Sequence, residues 1–432
     1  MSNIEIPRKT DYYRLDDALD ALRAALPIVV LCLLWITFQP FLGTQTAVPK
    51  SSLVNQIGYT SVTALSLTLL FTSIDRRVTY ALVNLPWLLL FSGLLASGYF
   101  APAPTDAMRA IAFSIIVVVL AASFCALPKN ADAFSKALQI GCLAVLGMSY
   151  FGVIFLPTKA MHLASDLEAQ HAGFWRGIYT HKNIAGPIMA TLTFAGIYLF
   201  RRGMRYSGAF IILGALLFIA NAGSKTSLAV TPIVAFMVLF PALMGLRGLA
   251  ALAVLLTALA THALTIGTVY SSFLNDVLRV FDPTTSFTGR LEIWEFSKPF
   301  VLERPFAGYG FGGFWENGIK LRGETAFDQT WDPRGIVHGH NGFLDIALVM
   351  GLPMMLIMVW ATLISPMMNY VRVPNKQENV LLADFFLMII AFTVMNAALE
   401  SFFFRRADPV WLTLVFAIFG MRLAARFPIT KA

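Results

Sequence analysis

Two histidines separated by one residue stand immediately before a long apolar segment, in the run His338-Gly-His340-Asn341. Histidine is the side chain whose ordinary pKa lies closest to neutrality, so His340 is a candidate general base that accepts a proton from an attacking hydroxyl. Asn341 would then orient the ring or hydrogen-bond a sugar. A metal site is a competing interpretation that two histidines alone support only weakly, and helix capping or packing is the simpler role for His340 taken alone.

Three cationic residues have the chemistry to bind phosphate oxygens. Arg176 precedes a run that contains His181, Lys225 follows Gly-Ser, and Arg290 follows Thr-Gly. Arginine can hold a phosphate through two hydrogen bonds, and unpaired charge at a membrane boundary is costly, so a bound diphosphate would satisfy these side chains. The alternative for each is that its long side chain reaches back to the membrane surface.

A glycine-rich run at 308–315, Gly-Tyr-Gly-Phe-Gly-Gly-Phe-Trp, resembles a dinucleotide-binding fingerprint only in its glycines. It follows no predicted strand and begins no βαβ unit, so we reject it as a cofactor site. Glycines alternating with aromatic residues predict a tight turn, or a turn whose amides and rings lie near a sugar or a lipid headgroup.

The composition indicates a membrane protein and excludes a soluble domain. Of the 432 residues, 57% are apolar and only 13% are charged, and the mean hydropathy is +0.70. A soluble chain carries about 25% charged residues. Cys32, Cys125 and Cys142 all lie in apolar runs, so the sequence predicts neither a disulfide framework nor a zinc site. We therefore expect an all-α, polytopic integral membrane protein.

About twelve apolar segments are candidates for transmembrane helices, each of which needs about 20 apolar residues to cross a bilayer. We place them at 26–47, 58–74, 80–101, 109–127, 137–156, 183–200, 207–222, 226–244, 249–268, 341–366, 380–400 and 408–424. Basic residues concentrate in alternate loops, which the positive-inside rule assigns to the cytoplasm together with both termini. The basic residues before the first segment predict a retained anchor rather than a cleaved signal peptide.

The remaining basic residues and all six histidines fall on or near the opposite, outer face. Such a surface predicts an anionic ligand, for example a lipid phosphate or diphosphate, although outer loops are also polar simply because they meet water. We expect about nine membrane helices in 1–269, one large outer loop in 270–340 and about three membrane helices in 341–432. Within the loop, Thr288–Glu303 predicts a helix that lies in the membrane interface or packs on the bundle.

Five short motifs, in this order, resemble the bacterial O-antigen ligase and Wzy-type polysaccharide polymerase superfamily. They are Arg176-Gly-x-x-x-His-Lys-Asn183, Gly223-Ser-Lys225, Thr288-Gly-Arg-Leu-x-x-Trp294, Arg304-Pro-x-x-Gly-x-Gly310, and His340-Asn-x-x-Leu344 followed by Gly351. Each motif is weak alone, but their order and the layout of about twelve spans with one long loop match the superfamily. The resemblance implies a glycosyltransferase architecture of the GT-C-like kind, with the large loop in the periplasm.

The resemblance also implies an inverting glycosyltransferase of the bacterial inner membrane that uses no cofactor or nucleotide sugar. Its donor would be a glycan on undecaprenyl diphosphate. Arg176 and Arg290 match the arginines expected to bind the donor diphosphate, and His340 matches the histidine expected to activate the acceptor hydroxyl. Lys225 stands where the family often has arginine, which keeps the charge but loses the two-point grip. The remaining expected substrate-binding residues are His181, His338 and Asn341.

The motifs are shared by polysaccharide polymerases and O-antigen ligases, which differ in the acceptor. A polymerase passes the chain to the next lipid-linked repeat, whereas a ligase passes it to lipid A core. The run His338–Met368 looks more like exopolysaccharide polymerases of the succinoglycan type, so polymerisation is the first expectation. A flippase and a chain-length co-polymerase are the expected protein partners, and no nucleic acid is expected.

Two further interpretations remain open. In the first interpretation, acidic residues of the outer loop hold Mg²⁺ or act as the base. These residues are Glu292, Glu295, Asp328 and Asp332. The second is a transporter or flippase of lipid-linked sugars. A transporter should carry charged or helix-breaking residues in mid-span in two related halves, whereas the charges here gather at one membrane face.

Overall fold

The protein is a bundle of α-helices. The computed structural model describes residues 9–42, 52–166, 168–316 and 336–431, and these ranges contain no strand beyond an isolated bridge between Met161 and Trp175. The helices are α1 Lys9–Ile36, α2 Leu53–Ser73, α3 Arg76–Ala81, α4 Leu85–Tyr99, α5 Pro104–Phe124, α6 Ala131–Phe155, α7 Pro157–Ala160, α8 Lys182–Arg201, α9 Arg205–Ala222, α10 Lys225–Leu243, α11 Arg247–Ala263, α12 Gly267–Tyr270, α13 Ser272–Phe281, α14 Arg290–Glu303, α15 Gly342–Met350, α16 Leu352–Val359, α17 Ser365–Val371, α18 Gln377–Asn396 and α19 Pro409–Arg426.

Within the described ranges, eight helical segments are long and apolar enough to cross a membrane, and α4 and α11 are shorter apolar helices. A helix lies at each of the twelve positions where the apolar pattern predicts a span. The predicted all-α, polytopic membrane fold is confirmed, and the chain is a multi-pass membrane protein.

The predicted span 341–366 is wrong as one continuous helix. The chain breaks at Gly351, where φ is 84° and ψ is 170°, and α16 then continues through a π-helical turn, Trp360–Ile364, into α17. The Leu352 N–H donates to the Pro305 carbonyl at 2.7 Å. A side chain at Gly351 would clash with the Phe306 backbone, so glycine is required for this close approach. The short α15 is therefore separate from the membrane-crossing segment.

Three helices form the centre of the bundle. The apolar windows of α8, α18 and α19 are 78%, 89% and 83% buried inside the protein, against 33% for α9 and 28% for α10. α18 packs against α19, α8 and α10. In a membrane protein, apolar helices with such low internal burial present their outer faces to lipid.

Side-chain contacts gather at the two ends of the bundle. At one end Arg202 pairs with Asp132 and Glu378, and Arg247 donates to the Val373 carbonyl. These residues belong to loops predicted to be cytoplasmic. The opposite end holds the histidines and cations of the predicted outer loops. The packing thus places the basic loops predicted to be cytoplasmic at one end and the predicted outer loops at the other, as the charge pattern does. The side of the membrane that each end faces stays a prediction.

The outer segment after α12 packs onto α15. Trp294 and other apolar residues of α14 form a second core with Phe314, Trp315 and Leu348. Of the two interpretations of this helix, packing on the bundle matches the structure. The glycine-rich run makes the predicted turn, and its backbone docks on the end of α15: the Tyr309 N–H donates to the Leu348 carbonyl at 2.7 Å.

Candidate functional site

An open cavity of about 1630 Å³ lies at the end of the bundle that carries the histidines. Its wall combines charged and apolar groups, which suits an amphipathic substrate. The polar part includes His162, His181, His338, Arg405 and Arg406, and the apolar part includes Phe113, Phe311, Phe314, Phe402 and Phe403.

Glu400, in the connection after α18, joins three residues that are far apart in the sequence. Its Oε1 accepts hydrogen bonds from Arg290 Nη2 and from Asn183 Nδ2, both at 2.7 Å. Its Oε2 lies 3.6 Å from His340 Nδ1. Burial alone would raise the pKa of Glu400, but His340, Arg290 and His181 together lower it below its ordinary value. The carboxylate is therefore ionised at neutral pH.

Arg290 is the first residue of α14 and follows an unusual backbone. Phe287, Thr288 and Gly289 have φ of 50°, 62° and 82°, and such left-handed conformations cost free energy in residues other than glycine. Arg290 Nη1 donates to the Phe287 carbonyl at 3.1 Å. Its Nε is buried and has no hydrogen-bond partner among the described residues. This N–H is thus a donor that the described contacts leave unused, although it is buried in this arrangement.

His340 also has a left-handed backbone, with φ of 48°. Its N–H donates to Nδ1 of His338 at 3.3 Å, and the ring centroids are 4.1 Å apart. Because Nδ1 accepts this bond, the neutral His338 ring carries its proton on Nε2. Burial, assisted by His340, Arg405 and Arg290, lowers the pKa of His338 well below its ordinary value. His338 is therefore neutral, and the side chain of His340 is 31% exposed.

The segment that carries these histidines is held from both sides. Trp294 Nε1 donates to the Gly339 carbonyl at 2.9 Å, and the Gly339 N–H donates to Asp345 Oδ1 at 2.9 Å. The helix that begins with Arg290 and the helix that follows His340 are therefore locked together next to the cavity.

His181 caps the start of α8. Its Nδ1 accepts the Asn183 N–H at 3.1 Å, so its proton is on Nε2, which donates to Glu168 Oε2 at 2.7 Å. This hydrogen bond is the main cause of the Glu168 pKa falling to about 2. Ligand atoms of Glu168, His171 and His181 lie within 4.8 Å of one another. A metal on His181 Nε2 would require that nitrogen to lose its proton while Nδ1 still accepts an N–H, so a hydrogen-bonded pair fits the geometry better.

Arg176 lies inside the protein behind the cavity wall and does not itself line the cavity. Arg176 is only 1% exposed. Its Nε donates to the Met161 carbonyl and its Nη1 donates to the Leu42 carbonyl, both at 3.1 Å. Those nitrogens are not free for phosphate in this arrangement. Arg176 instead holds together the connection that ends at His181, and its predicted role in binding diphosphate is not one that the described contacts favour.

Asn341 is likewise used by the fold. It is 0% exposed, its Oδ1 accepts the Leu344 N–H at 3.0 Å, and its Nδ2 donates to the Ala398 carbonyl at 3.1 Å. It is the cap of α15, which leaves the predicted hydrogen bond to a sugar without an accessible group.

Lys225 is exposed at the first position of α10. Neighbouring Lys182 is buried, donates to the Gly223 carbonyl at 3.2 Å and lies 4.6 Å from the centre of the Phe174 ring. Lys225 is therefore an exposed cation with a second ammonium group nearby.

Sequence reasoning missed Glu400. The signal was present, because an acidic residue closes the apolar segment 380–400, and ionisable residues at membrane depth usually have a partner. Of the acidic residues considered instead, Glu292 has a buried Oε2 without a hydrogen-bond partner among the described residues, and Glu295 is exposed. Asp328 and Asp332 lie outside the described residues.

Comparison with known proteins agrees with the motifs. Residues 179–359 match the family model of the O-antigen ligases, over less than half of the chain. The matched region contains Lys225, Arg290 and His340 and ends before Glu400. No curated protein matches the chain. The family implies a lipid-linked sugar donor and an acceptor as substrates. The chain is thus a multi-pass membrane protein in which residues 179–359 are similar to the O-antigen ligase family.

Proposed function

We propose that the protein is an inverting glycosyltransferase that transfers a glycan from undecaprenyl diphosphate to a sugar hydroxyl at the periplasmic face of the bacterial inner membrane. The observation that carries the proposal is that Arg290 and His340 both face one carboxylate, Glu400, whose chain neighbour Ser401 lines the amphipathic cavity. A cation for the leaving group and a base for the attacking group are thereby brought to one place.

The chemistry needs few groups, because a diphosphate on an anomeric carbon is already a good leaving group. The acceptor oxygen attacks that carbon from the face opposite the diphosphate, which inverts its configuration. The bond from carbon to the phosphate oxygen breaks, and the diphosphate leaves with the electron pair. His340 takes the hydroxyl proton, and Arg290 stabilises the charge that grows on the diphosphate.

The first candidate activity is polymerisation of the lipid-linked repeats of a surface or exopolysaccharide. It is supported by the likeness of residues 338–368 to succinoglycan-type polymerases. It would place the protein with a flippase that supplies the repeats and a co-polymerase that sets the chain length. Ligation of a finished chain to lipid A core is the second candidate, favoured by the description of the matching family.

The test is deletion of the gene, with complementation by wild-type protein and by His340→Ala. Loss of long polymer with accumulation of single lipid-linked repeats is expected of a polymerase. Long polymer that never reaches lipid A would instead identify the ligase. Unchanged surface glycan and unchanged lipid-linked intermediates in the deleted cells would contradict both activities.

A further inference from the structure

The two oxygens of the Glu400 carboxylate contact different groups. One oxygen accepts the hydrogen bonds of Arg290 and Asn183, and the other faces His340 Nδ1. Asn183 lies in the first turn of α8, Arg290 begins α14, and His340 precedes α15. A single side chain therefore connects three elements at the cavity.

The orientation of the His340 ring has a chemical consequence. With Nδ1 toward an ionised carboxylate, the neutral ring is favoured with its proton on Nδ1, and Nε2 then keeps the lone pair that a general base needs. The separation of 3.6 Å is longer than a hydrogen bond, but contacts of this kind commonly shorten when substrate binds. The same logic orients the histidine of serine hydrolases, where a buried carboxylate holds the ring.

We propose that Glu400 is a positioning residue that orients His340 as the base and fixes Arg290 beside it. The proposal rests on the proposed function, because it assigns Glu400 its part through those two residues. Glu400 need not touch either substrate. Its negative charge also favours the imidazolium that forms when His340 accepts a proton.

A pH measurement separates this role from simple packing. The charged and titratable groups around His340 come from all the elements packed near it, and they are Glu400, His338, Asp345, Arg290, Arg405 and His181. Removal of the Glu400 charge alone leaves the cations in place. The imidazolium of His340 then becomes less stable, so its pKa should fall. Transfer requires neutral His340, so the acid side of the pH profile should move to lower pH.

The first experiment titrates isotopically labelled histidines by NMR in the full-length protein in lipid nanodiscs. The chain has six histidines, and the His340 signal is assigned by its loss in His340→Gln. Glu400→Gln should lower the pKa of His340 by about one unit. Glu303→Gln is the matched control, because Glu303 lies at the far end of α14 and bonds Tyr309. An unchanged His340 pKa in Glu400→Gln would overturn the proposal.

The second experiment measures transfer, with lipid-linked glycan extracted from gene-deleted cells as the probe. Glu400→Gln should reduce kcat by roughly 10² with little change in KM, and Glu400→Asp should recover part of kcat and the original acid limb. A reduced kcat with an unmoved acid limb would show a structural role only and refute positioning. Retained transfer in His340→Ala would instead reject the proposed function, whatever Glu400 does.

Discussion

At the scale of single residues, Arg290 tests whether the site holds a diphosphate. Arg290→Lys keeps the charge, but a single ammonium nitrogen cannot reproduce the planar fork that contacts Glu400 and the Phe287 carbonyl through separate nitrogens and that grips phosphate at two points. We expect transfer to fall by roughly 10² with unchanged protein level. The measurement is glycan transfer by membranes that contain equal amounts of each variant.

Arg279→Lys is the control for this substitution. Arg279 lies in the same outer segment and donates only to the Pro283 and Thr285 carbonyls in the described structure. Its variant should transfer normally. Full activity of Arg290→Lys would mean that any cation suffices at this position, which contradicts a two-point grip.

Substitutions of His340 should separate binding of the donor from the transfer step. His340→Ala and His340→Gln should both slow transfer by roughly 10² to 10⁴, because neither side chain accepts a proton near neutral pH. Donor binding should persist in purified protein, since Arg290 is unchanged. Near-normal turnover of the Gln variant would show that His340 only packs or caps. The role of base would then pass to Glu292, whose Oε2 is buried without a partner among the described residues.

At the scale of elements, the break at Gly351 ends α15, the short helix that follows His340. Gly351→Ala should lower the unfolding temperature and reduce transfer, because the position needs positive φ and the added carbon meets the Phe306 backbone. Gly245→Ala shares the strain of positive φ, at 74°, but its added carbon meets nothing within 4 Å. Thermal unfolding in detergent should therefore place Gly351→Ala clearly below Gly245→Ala, and equal temperatures would contradict a requirement for close approach.

Apolar segments predicted the membrane helices well, since their length and composition are local properties. The break at Gly351 also had a local signal, because a glycine with a proline two residues later, Pro353, is typical of the end of one helix and the start of the next. The continuous run of apolar residues nevertheless led to the prediction of one unbroken helix at 341–366. Motif position predicted Arg290 and His340, which the structure brings together through Glu400.

Two other features could not be predicted from the sequence. Arg176 lies at the start of a motif, and only tertiary structure shows that backbone carbonyls from separate segments surround its guanidinium. The contacts of Glu400 join residues up to 217 positions apart. Such pairings depend on how α8, α14 and α18 pack, which no local pattern contains.

At the scale of the whole molecule, the two ends of the bundle differ in chemistry. One end carries structural ion pairs such as Arg202 with Glu378, and the other carries the cavity with its histidines and arginines. A lipid-linked donor is itself amphipathic, with its diphosphate at the membrane surface. Under the proposed function, the aromatic and charged walls of the cavity match the two parts of such a molecule.

The last prediction concerns which end faces out. The positive-inside pattern places α14 in the periplasm and the loop before α3 in the cytoplasm. Single cysteines are introduced at Glu295, exposed on α14, and at Arg77, exposed on α3, in a chain whose three native cysteines are replaced by alanine. A membrane-impermeant maleimide should label Glu295→Cys in cells whose inner membrane is intact. Arg77→Cys should react only after that membrane is permeabilised. The reverse pattern would invert the topology and place the Arg290 and His340 site in the cytoplasm, where the proposed periplasmic transfer could not occur.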